Sequence, residues 1–594
     1  MRGVQRPLDG RLVLRAALVV VALPFLATFL SLMLAGRAAP LNHDVALIEL
    51  RAGDVFGGDT PLVGSYERYG GNQPGPWLFW TLAVPSFVGP LGIAVATLLV
   101  GYASAAGSLW VAHRRGGSVL VLWTSLLIVW GVVGRGLDRL SDPWEPMISF
   151  LVIVLLVMLV WEVAVGTLRV LPVAVGVAWL LASMWTMLTP IAVCVGLVLA
   201  AAVAVRARAA LRSEDRAERR VLIGSIVVSA GVLAVMVLPT IIEQVTTNPG
   251  NLTRLREAAT SSEATVGLSG GWRAFRLQLE PWAPWMGRAM PLTLSSEVDG
   301  SRALIVPIAL LAWLASMVAL AVTRRRTRPE SLGGRSGLWW LHAGVGAVLV
   351  GVLVALSLSR GGVAVWSMQP VAAVAMLVWL VTGWTVALIV LERRPLVWSA
   401  RVAAVLAAVL VVAAVAASVV ALWTDHGPGL LPAAVGELAD GVPGVVRPGS
   451  GPVLVTSGAA VKEVFDTSDF GVAELAASLE RRGYRTVVRS GLDNMFGDRR
   501  ARPADAAGEL RIESGDAVPD GSGWRLVRRL DPLDARQRRR RDRMDRAIDE
   551  AAGDAQGAAL LRRAATDRHL AALLQESATI PEAPRLSLWY RPIR

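Results

Sequence analysis

The chain contains very few of the residues that form disulfides or bind transition metals. Its 594 residues include one cysteine, Cys194, and five histidines. A single cysteine excludes an intramolecular disulfide and any metal site built from several thiolates. Cys194 lies within an apolar run, where a lone thiol most often fills space in the packing. Lysine is equally scarce, since Lys462 is the only lysine among 59 basic residues.

Nucleotide-binding motifs are missing as well. The sequence has no Walker loop, no dinucleotide-binding fingerprint and no nucleophile elbow in a strand-to-helix setting. An enzyme that takes a nucleotide-activated substrate from the cytoplasm would need such a site. The histidines and carboxylates show no spacing typical of metal ligands, so we predict no metal site. The sequence identifies no cofactor, and it gives no support to a bound divalent metal.

Long apolar runs, in contrast, are abundant. Hydrophobic residues make up 54% of the chain, the mean hydropathy is +0.53, and many runs reach about 20 residues, enough to cross a bilayer. A net charge of +13 would suggest nucleic acid as the partner of a soluble protein. Here many arginines fall in short connections between apolar runs, where they orient helices. We therefore predict a polytopic membrane protein with no nucleic-acid partner.

The apolar runs predict about eleven transmembrane helices. The predicted spans lie near 12–36, 88–112, 118–134, 147–163, 170–187, 189–205, 221–240, 302–322, 338–358, 368–391 and 400–423. With the N-terminus cytoplasmic, the arginine-rich stretches near 113–117, 206–220, 324–335 and 392–394 all fall on the inner side of the plasma membrane. The outer loops are then 37–87, 135–146 and 241–301. An odd number of spans places the C-terminal segment outside.

The tail differs in composition from the rest of the chain. Residues 1–423 form the predicted transmembrane domain, whereas Gly- and Pro-rich stretches follow Thr424. The stretches GPVLVTSG, VAELAASLERRGY and RTVVRS then occur in strand, helix, strand order, and ELRIES and WRLVRRL add two further strands. Two helical stretches near 533–552 and 556–576 end the chain. We predict that 424–594 is a small extracytoplasmic α/β domain with C-terminal helices.

The first outer loop carries the most concentrated charge. Asn42 can cap a helix that begins near His43, and in that helix Asp44 and Arg51 are seven residues apart and share a face. A carboxylate could deprotonate an acceptor hydroxyl, and a guanidinium could stabilise a leaving phosphate. The alternative is that Asp44 stands in the first turn only because the helix dipole favours an acid there. The other charges of the loop would then simply be solvated.

The order of these features resembles the GT-C superfamily of polyprenyl-phosphate-sugar-dependent glycosyltransferases, in particular large actinobacterial membrane proteins. The resemblance is carried by the first span, an outer loop that opens with an acid, the re-entry NQPGPWLFWTLAVP, many spans and an outer soluble domain. LSDPWEPM at 140–147 and LPTIIEQVTTNPGNLTRL at 238–255 also fit. The resemblance covers roughly the first 420 residues. Many relatives have a paired acid at the catalytic position or a His in place of Gln73, and this chain departs from both.

The resemblance implies an α-helical, GT-C-like membrane protein that transfers a sugar from a polyprenyl-phosphate donor to an envelope glycan or glycolipid. It implies that Asp44 is the catalytic base. We expect donor phosphate contacts from Arg51, Arg68 and Arg254. The expected substrate-binding residues are His43, Glu49, Tyr66, Gln73, Trp144, Glu145, Gln244 and Asn251, and membrane lipid is a further partner.

Two other classes of function stay open. A flippase or transporter of lipid-linked sugars would carry ionisable residues within its spans and repeated halves, because transport pathways cross the bilayer. A non-catalytic scaffold that binds cell-wall polymer through its outer domain would tolerate loss of the loop acids. The first function, sugar transfer, is the one we expect.

Overall fold

A computed structural model describes most of the chain. The described ranges are 9–34, 41–67, 70–86, 91–260, 265–277, 307–324, 335–360, 368–393, 397–424, 429–458, 471–553, 567–577 and 583–593, with a few isolated positions between them. Arg68 and most of the predicted outer loop beyond 277 lie outside the described residues.

The N-terminal two thirds of the chain is a bundle of apolar helices. Among the described residues, eight helices are long and apolar enough to cross a membrane, and two shorter apolar segments lie at Leu168–Met184 and Ile308–Thr323. The helices of the bundle and its connections are α1 Gly10–Leu34, α2 His43–Asp54, α3 Trp77–Ser86, α4 Gly92–Arg135, α5 Glu145–Val165, α6 Leu171–Met184, α7 Thr189–Arg212, α8 Arg216–Thr246, α9 Asn251–Ala259, α10 Gly267–Leu277, α11 Ile308–Arg324, α12 Arg335–Leu358, α13 Ala373–Arg393 and α14 Val397–Trp423. The chain is thus a multi-pass membrane protein.

Helix α4 is 44 residues long and contains a break at Gly117. The backbone of Gly117 has φ 59° and ψ −150°, a conformation that favours glycine. Gly101 before the break and Gly131 after it pack against the neighbouring positions Leu151 and Phe150 of α5. The two halves of α4 therefore fold back on each other as a hairpin, which matches the two spans predicted at 88–112 and 118–134. The total of eleven crossings stays a prediction.

The arginine-rich connections gather at one end of the bundle. Gly10 lies against His113, and the buried carboxylate of Glu162 pairs with both Arg114 and Arg115. Arg206 donates to the carbonyl of Gly166 at the same end. This agrees with the predicted grouping of the stretches 113–117 and 206–220, whereas most of the stretch 324–335 and the side chains of 392–394 lie outside what the structure describes. Helix α8 extends to Thr246, so the third outer connection starts later than position 241.

The C-terminal part is an α/β domain with a five-stranded sheet. Its strands are β1 Val453–Ser457, β2 Thr486–Val487, β3 Gly508–Ser514, β4 Arg525–Leu530 and β5 Leu586–Pro592, in the order β2-β1-β3-β5-β4. Strand β1 is parallel to β2 and β3, whereas β5 is antiparallel to β3 and β4. The helices of the domain are α15 Leu430–Ala439, α16 Val472–Arg481, α17 Asp493–Phe496, α18 Ala535–Ala552 and α19 Arg568–Ser577.

Four of the five strands occur where the sequence predicts them. Strand β5, near the C-terminus, was not predicted, although it pairs along its whole length with β3. Its partners are far away in sequence, so no local turn signal marks it. Helix α18 begins at Ala535 within the predicted 533–552 segment, and α19 covers the end of the predicted 556–576 segment, of which another part lies outside the described residues.

Helix α2 lies between the membrane bundle and the C-terminal domain. One side, including Val45 and Leu50, packs into the core of the C-terminal domain. Ile48 and Ala52 pack instead with residues of α3 and of the bundle. Burying both sides of one short helix fixes its position relative to both parts of the protein.

Candidate functional site

The first outer connection folds as the sequence predicts at its start. Helix α2 begins at His43, and the side chain of Asn42 accepts a hydrogen bond of 2.9 Å from the backbone N–H of Val45. This cap leaves Asp44 in the first turn and Arg51 in the last turn. Because α2 is packed on two sides, its first turn is held in a fixed place at the end of the bundle opposite the arginine-rich connections.

Asp44 is half-buried and in contact with two aromatic groups of the predicted site. The Tyr66 hydroxyl donates to Oδ1 of Asp44 at 3.2 Å, and the rings of His43 and Tyr66 meet edge to face at 6.2 Å. Burial raises the pKa of Asp44 above its usual 3.8. His43 and the Tyr66 hydrogen bond act in the opposite direction, and the negative charge of Glu474 raises the pKa further.

The second outer connection brings two more carboxylates to Asp44. Asp142 follows a short 3-10 helix at Leu137–Ser141, and Glu145 is the first residue of α5. The three acids are close enough for mutual charge repulsion. Burial raises the pKa of Asp142 to about 6, while the Trp144 N–H and the charge of Arg139 lower it. Asp44 therefore lies in an acidic cluster with a guanidinium beside it.

Glu474 comes to this cluster from the C-terminal domain. It lies in the first turn of α16, is 7% exposed, and its Oε2 lies 3.9 Å from Nδ1 of His43. Within the described part of the chain, neither Oε2 of Glu474 nor Oε1 of Glu145 has a hydrogen-bond partner. Buried polar atoms are nearly always hydrogen-bonded in folded proteins. These two oxygens, one of them 3.9 Å from His43 and the other on the carboxylate beside Ser65, thus offer places next to Asp44 for hydrogen-bond donors of a ligand.

Gln73 connects the first outer connection to the turn between α6 and α7. Its Nε2 donates to Glu67 at 2.8 Å, and its Oε1 accepts from the backbone N–H of Thr186 at 2.7 Å. The Thr186 hydroxyl donates to the same Glu67 carboxylate at 2.9 Å. Gln73 is buried, and its partners here are protein groups.

Asn251 forms a reciprocal pair with Asn72. The Asn72 backbone N–H donates to Oδ1 of Asn251 at 2.7 Å, and Nδ2 of Asn251 donates back to the Asn72 carbonyl at 2.8 Å. The carboxylate of Glu243 accepts from the Asn251 N–H. Asn72 in turn donates to the carbonyl of Asn494 in the C-terminal domain at 2.6 Å. Three separate parts of the chain meet at this pair.

Arg51 and Glu49 are held by ion pairs between α2 and its surroundings. Arg51 donates to Asp54 at 2.7 Å and to Asp59 at 3.0 Å. Glu49 accepts hydrogen bonds from two nitrogens, Nε and Nη2, of the Arg481 guanidinium in the C-terminal domain. Both side chains are thus held by protein groups, and both lie further along α2 than Asp44 does. Donor contact by Arg51 and substrate contact by Glu49 stay predictions.

The remaining predicted site residues lie around the third connection and at the start of α5. Arg254 donates through Nε to the carbonyl of Pro249 at 3.0 Å and lies against Gly71. Gln244 binds the hydroxyl of Thr253 at 2.9 Å. Trp144 packs with the apolar residues beneath α2. Arg68 lies outside the described residues.

The acidic cluster does not have the arrangement of a metal site. Across the described ranges, no group of three or more His, Cys, Asp or Glu side chains is placed to hold a metal ion. Sequence reasoning missed Asp142, Arg139 and Glu474 as members of the site. Asp142 is inside the LSDPWEPM stretch that carried the resemblance, so a signal for it existed. Nothing local in the sequence marks Glu474.

Two solved structures of ArnT from Cupriavidus metallidurans are similar to this chain. The structure bound to undecaprenyl phosphate has a TM-score of 0.48 and 13% identity, and the match covers 84% of this chain and 93% of that chain. The apo structure has a TM-score of 0.47 and 15% identity, with 84% and 92% covered. No family model matches the chain, and no curated protein matches it at a significant level.

Proposed function

We propose that the protein is a membrane glycosyltransferase that moves a sugar from a polyprenyl-phosphate donor to a hydroxyl of an envelope glycan or glycolipid. The observation that carries the proposal is the placement of Asp44. It is half-buried at the bundle end opposite the arginines, and it is surrounded by Tyr66, Asp142, Glu145 and Glu474. Asp44 is the general base in this proposal.

The raised pKa of Asp44 supports this role. A base acts best when its pKa lies closer to the working pH than that of an exposed aspartate, because the proton then moves to it more readily. Burial raises the pKa of Asp44 in this direction. The acceptor hydroxyl would lie against the carboxylate, and its proton would pass to Asp44 as the oxygen attacks the anomeric carbon of the donor.

Two carboxylate oxygens that accept no hydrogen bond from the described chain support a polyhydroxyl acceptor. Oε1 of Glu145 and Oε2 of Glu474 have no hydrogen-bond partner in the described chain. Sugar hydroxyls are donors of the right kind for such oxygens, whereas an anionic group would be repelled. We therefore propose that the acceptor presents uncharged sugar hydroxyls at this place.

The leaving polyprenyl phosphate needs cations, because its charge develops as the sugar departs. Arg139 lies next to Asp142 in the cluster, and the side chain of Arg254 lies against Gly71 of the first outer connection. We propose these two arginines as the phosphate contacts. The polyprenyl chain would stay in the bilayer beside the bundle.

The test is sugar transfer from radiolabelled polyprenyl-phosphate hexoses and pentoses in membranes with wild-type protein or with Asp44→Asn. Loss of a general base lowers the rate by about two to four orders of magnitude. The matched variant is Glu49→Gln on the same helix, with a much smaller expected loss because Glu49 binds Arg481. Full transfer by Asp44→Asn would exclude Asp44 as the base. Transport of lipid-linked sugar without transfer would favour the flippase alternative.

A further inference from the structure

We infer that the arginine-rich end of the bundle contains a binding site for the headgroup of an anionic phospholipid. A cavity of about 500 Å³ lies where α4, α7 and α8 meet the connection between α5 and α6. It is lined by Arg114, Gly166, Thr167, Leu168, Arg169, Arg206, Ala217, Glu218 and Val221. This cavity is at the end opposite Asp44, so it is separate from the proposed catalytic site.

The charge around the cavity is positive. Three arginines and one glutamate line it. A second carboxylate, Glu162, lies next to Arg114, but it is fully buried and also pairs with Arg115, which neutralises it. A net charge of this sign attracts a phosphate group, and guanidinium groups bind phosphate oxygens through two parallel hydrogen bonds.

Two of the arginines have donors available for a ligand. Arg169 is exposed and has no hydrogen bond or ion pair with the described part of the chain. Arg206 makes one long bond, from Nη2 to the Gly166 carbonyl at 3.3 Å. Arg114, in contrast, is already held by Glu162 and by the hydroxyl of Thr167. Arg169 and Arg206 are thus the groups that would bind the phosphate.

The surroundings favour a lipid over free phosphate. The cavity lies at the ends of membrane helices, at the depth where headgroups lie. On α8, Val228 lies two helical turns after the cavity residue Val221, so the two residues share a face, and the side chain of Val228 is exposed. This side chain offers an apolar contact for an acyl chain beside the cationic cavity. A phospholipid with a net negative headgroup satisfies both features, whereas a soluble phosphate uses only the first.

The experiment is native mass spectrometry of the full-length protein in detergent, titrated with phosphatidylglycerol, with phosphatidylcholine or with glycerol 3-phosphate. We expect one phosphatidylglycerol to bind at least about tenfold more tightly than phosphatidylcholine, because only the former carries net negative charge. The double variant Arg169→Gln/Arg206→Gln should lose this preference. The control is Arg208→Gln/Arg212→Gln, which removes the same charge from exposed positions of α7 outside the cavity lining and should keep it.

Three results would overturn the inference. One is equal weakening by the control, which would reveal a general effect of charge. Another is equal affinity of the protein for phosphatidylglycerol and phosphatidylcholine. The third is an affinity for glycerol 3-phosphate equal to that for phosphatidylglycerol, which would identify a soluble ligand. If the double variant does not fold, the single variant Arg169→Gln at its exposed position provides the same comparison, with Arg212→Gln as its control.

Discussion

Arg500 and Asp54 are 446 positions apart in the chain, yet Nη1 of Arg500 donates to Oδ2 of Asp54 at 2.6 Å. Both side chains are almost fully buried, and the same guanidinium binds Glu480 through its other two nitrogens. Arg500 belongs to the C-terminal domain and Asp54 ends helix α2. This contact therefore joins the C-terminal domain to the helix that carries Asp44.

Removal of Arg500 should weaken that connection strongly. In Arg500→Met, the buried carboxylate of Asp54 loses a main partner, and breaking a buried ion pair from one side typically costs about 3–5 kcal/mol. We expect a clear drop of the apparent melting temperature in detergent and a parallel loss of sugar transfer. The double variant Arg500→Met/Asp54→Asn should recover part of the stability. An unchanged melting temperature in the single variant would contradict this role.

Substitution of two neighbours of Asp44 should shift the pH dependence of sugar transfer in opposite directions. Because burial raises its pKa, the acid limb of the kcat/KM profile should lie above the usual range of an aspartate. Glu474→Gln removes a charge that raises the pKa, so the limb should move to lower pH. His43→Gln removes a group that lowers the pKa, so the limb should move to higher pH. Shifts of both variants in the same direction would argue against Asp44 as the titrating base.

Asp142 should make stability depend on pH. Its pKa in the folded protein is about 6 because of burial, above the usual 3.8. The folded state therefore favours the protonated form, and the ionised form lowers stability fully above pH 6 and progressively less as the pH falls towards 4. Asp142→Asn keeps an acceptor for the Trp144 N–H and should raise the apparent melting temperature at pH 8 more than at pH 5. An equal change at both values would contradict the assignment.

Substitution in the pair of Asn72 and Asn251 should lower the stability of the protein more than substitution of the exposed polar groups around the pair. Asn251→Ala leaves the N–H and carbonyl of Asn72 buried without a partner, at about 1–3 kcal/mol for each group. The control is Gln244→Ala, which removes bonds to the Thr253 hydroxyl and to the exposed N–H of Leu252 and should cost less because water can replace the bond to the exposed N–H. Thermal unfolding of the two variants in one detergent gives the comparison. A larger effect of Gln244→Ala would contradict the central position of the pair.

The orientation in the membrane can be tested with single cysteines. In a Cys194→Ser background, Ser522→Cys probes an exposed position of the C-terminal domain and Glu214→Cys probes the arginine-rich end. The positive-inside rule predicts that an impermeant thiol reagent labels the first variant in intact cells and the second only after permeabilisation. The reverse pattern would place the proposed catalytic site on the cytoplasmic side.

Features that depend on neighbouring residues in the chain were predictable. Apolar run length predicted the membrane helices, and Asn42 predicted the start of α2 and the position of Asp44 in its first turn. The strand and helix order of the C-terminal domain also followed from local patterns, up to β4. These predictions succeed because helix length, capping and alternation are local properties.

The tertiary structure decided which charged side chains meet. By sequence, Arg51 and Glu49 are as available for substrate as Asp44 is, but folding pairs the first with Asp54 and Asp59 and the second with Arg481. Folding likewise brings Glu474 of the C-terminal domain to the first turn of α2. Arg51 and Asp54 are an i, i+3 pair on one helix, whereas the contacts of Glu49 with Arg481 and of His43 with Glu474 join segments hundreds of residues apart. The physical reason that the latter were not predictable is that such pairs depend on distance and burial between remote segments, and neither quantity leaves a periodic pattern in the sequence.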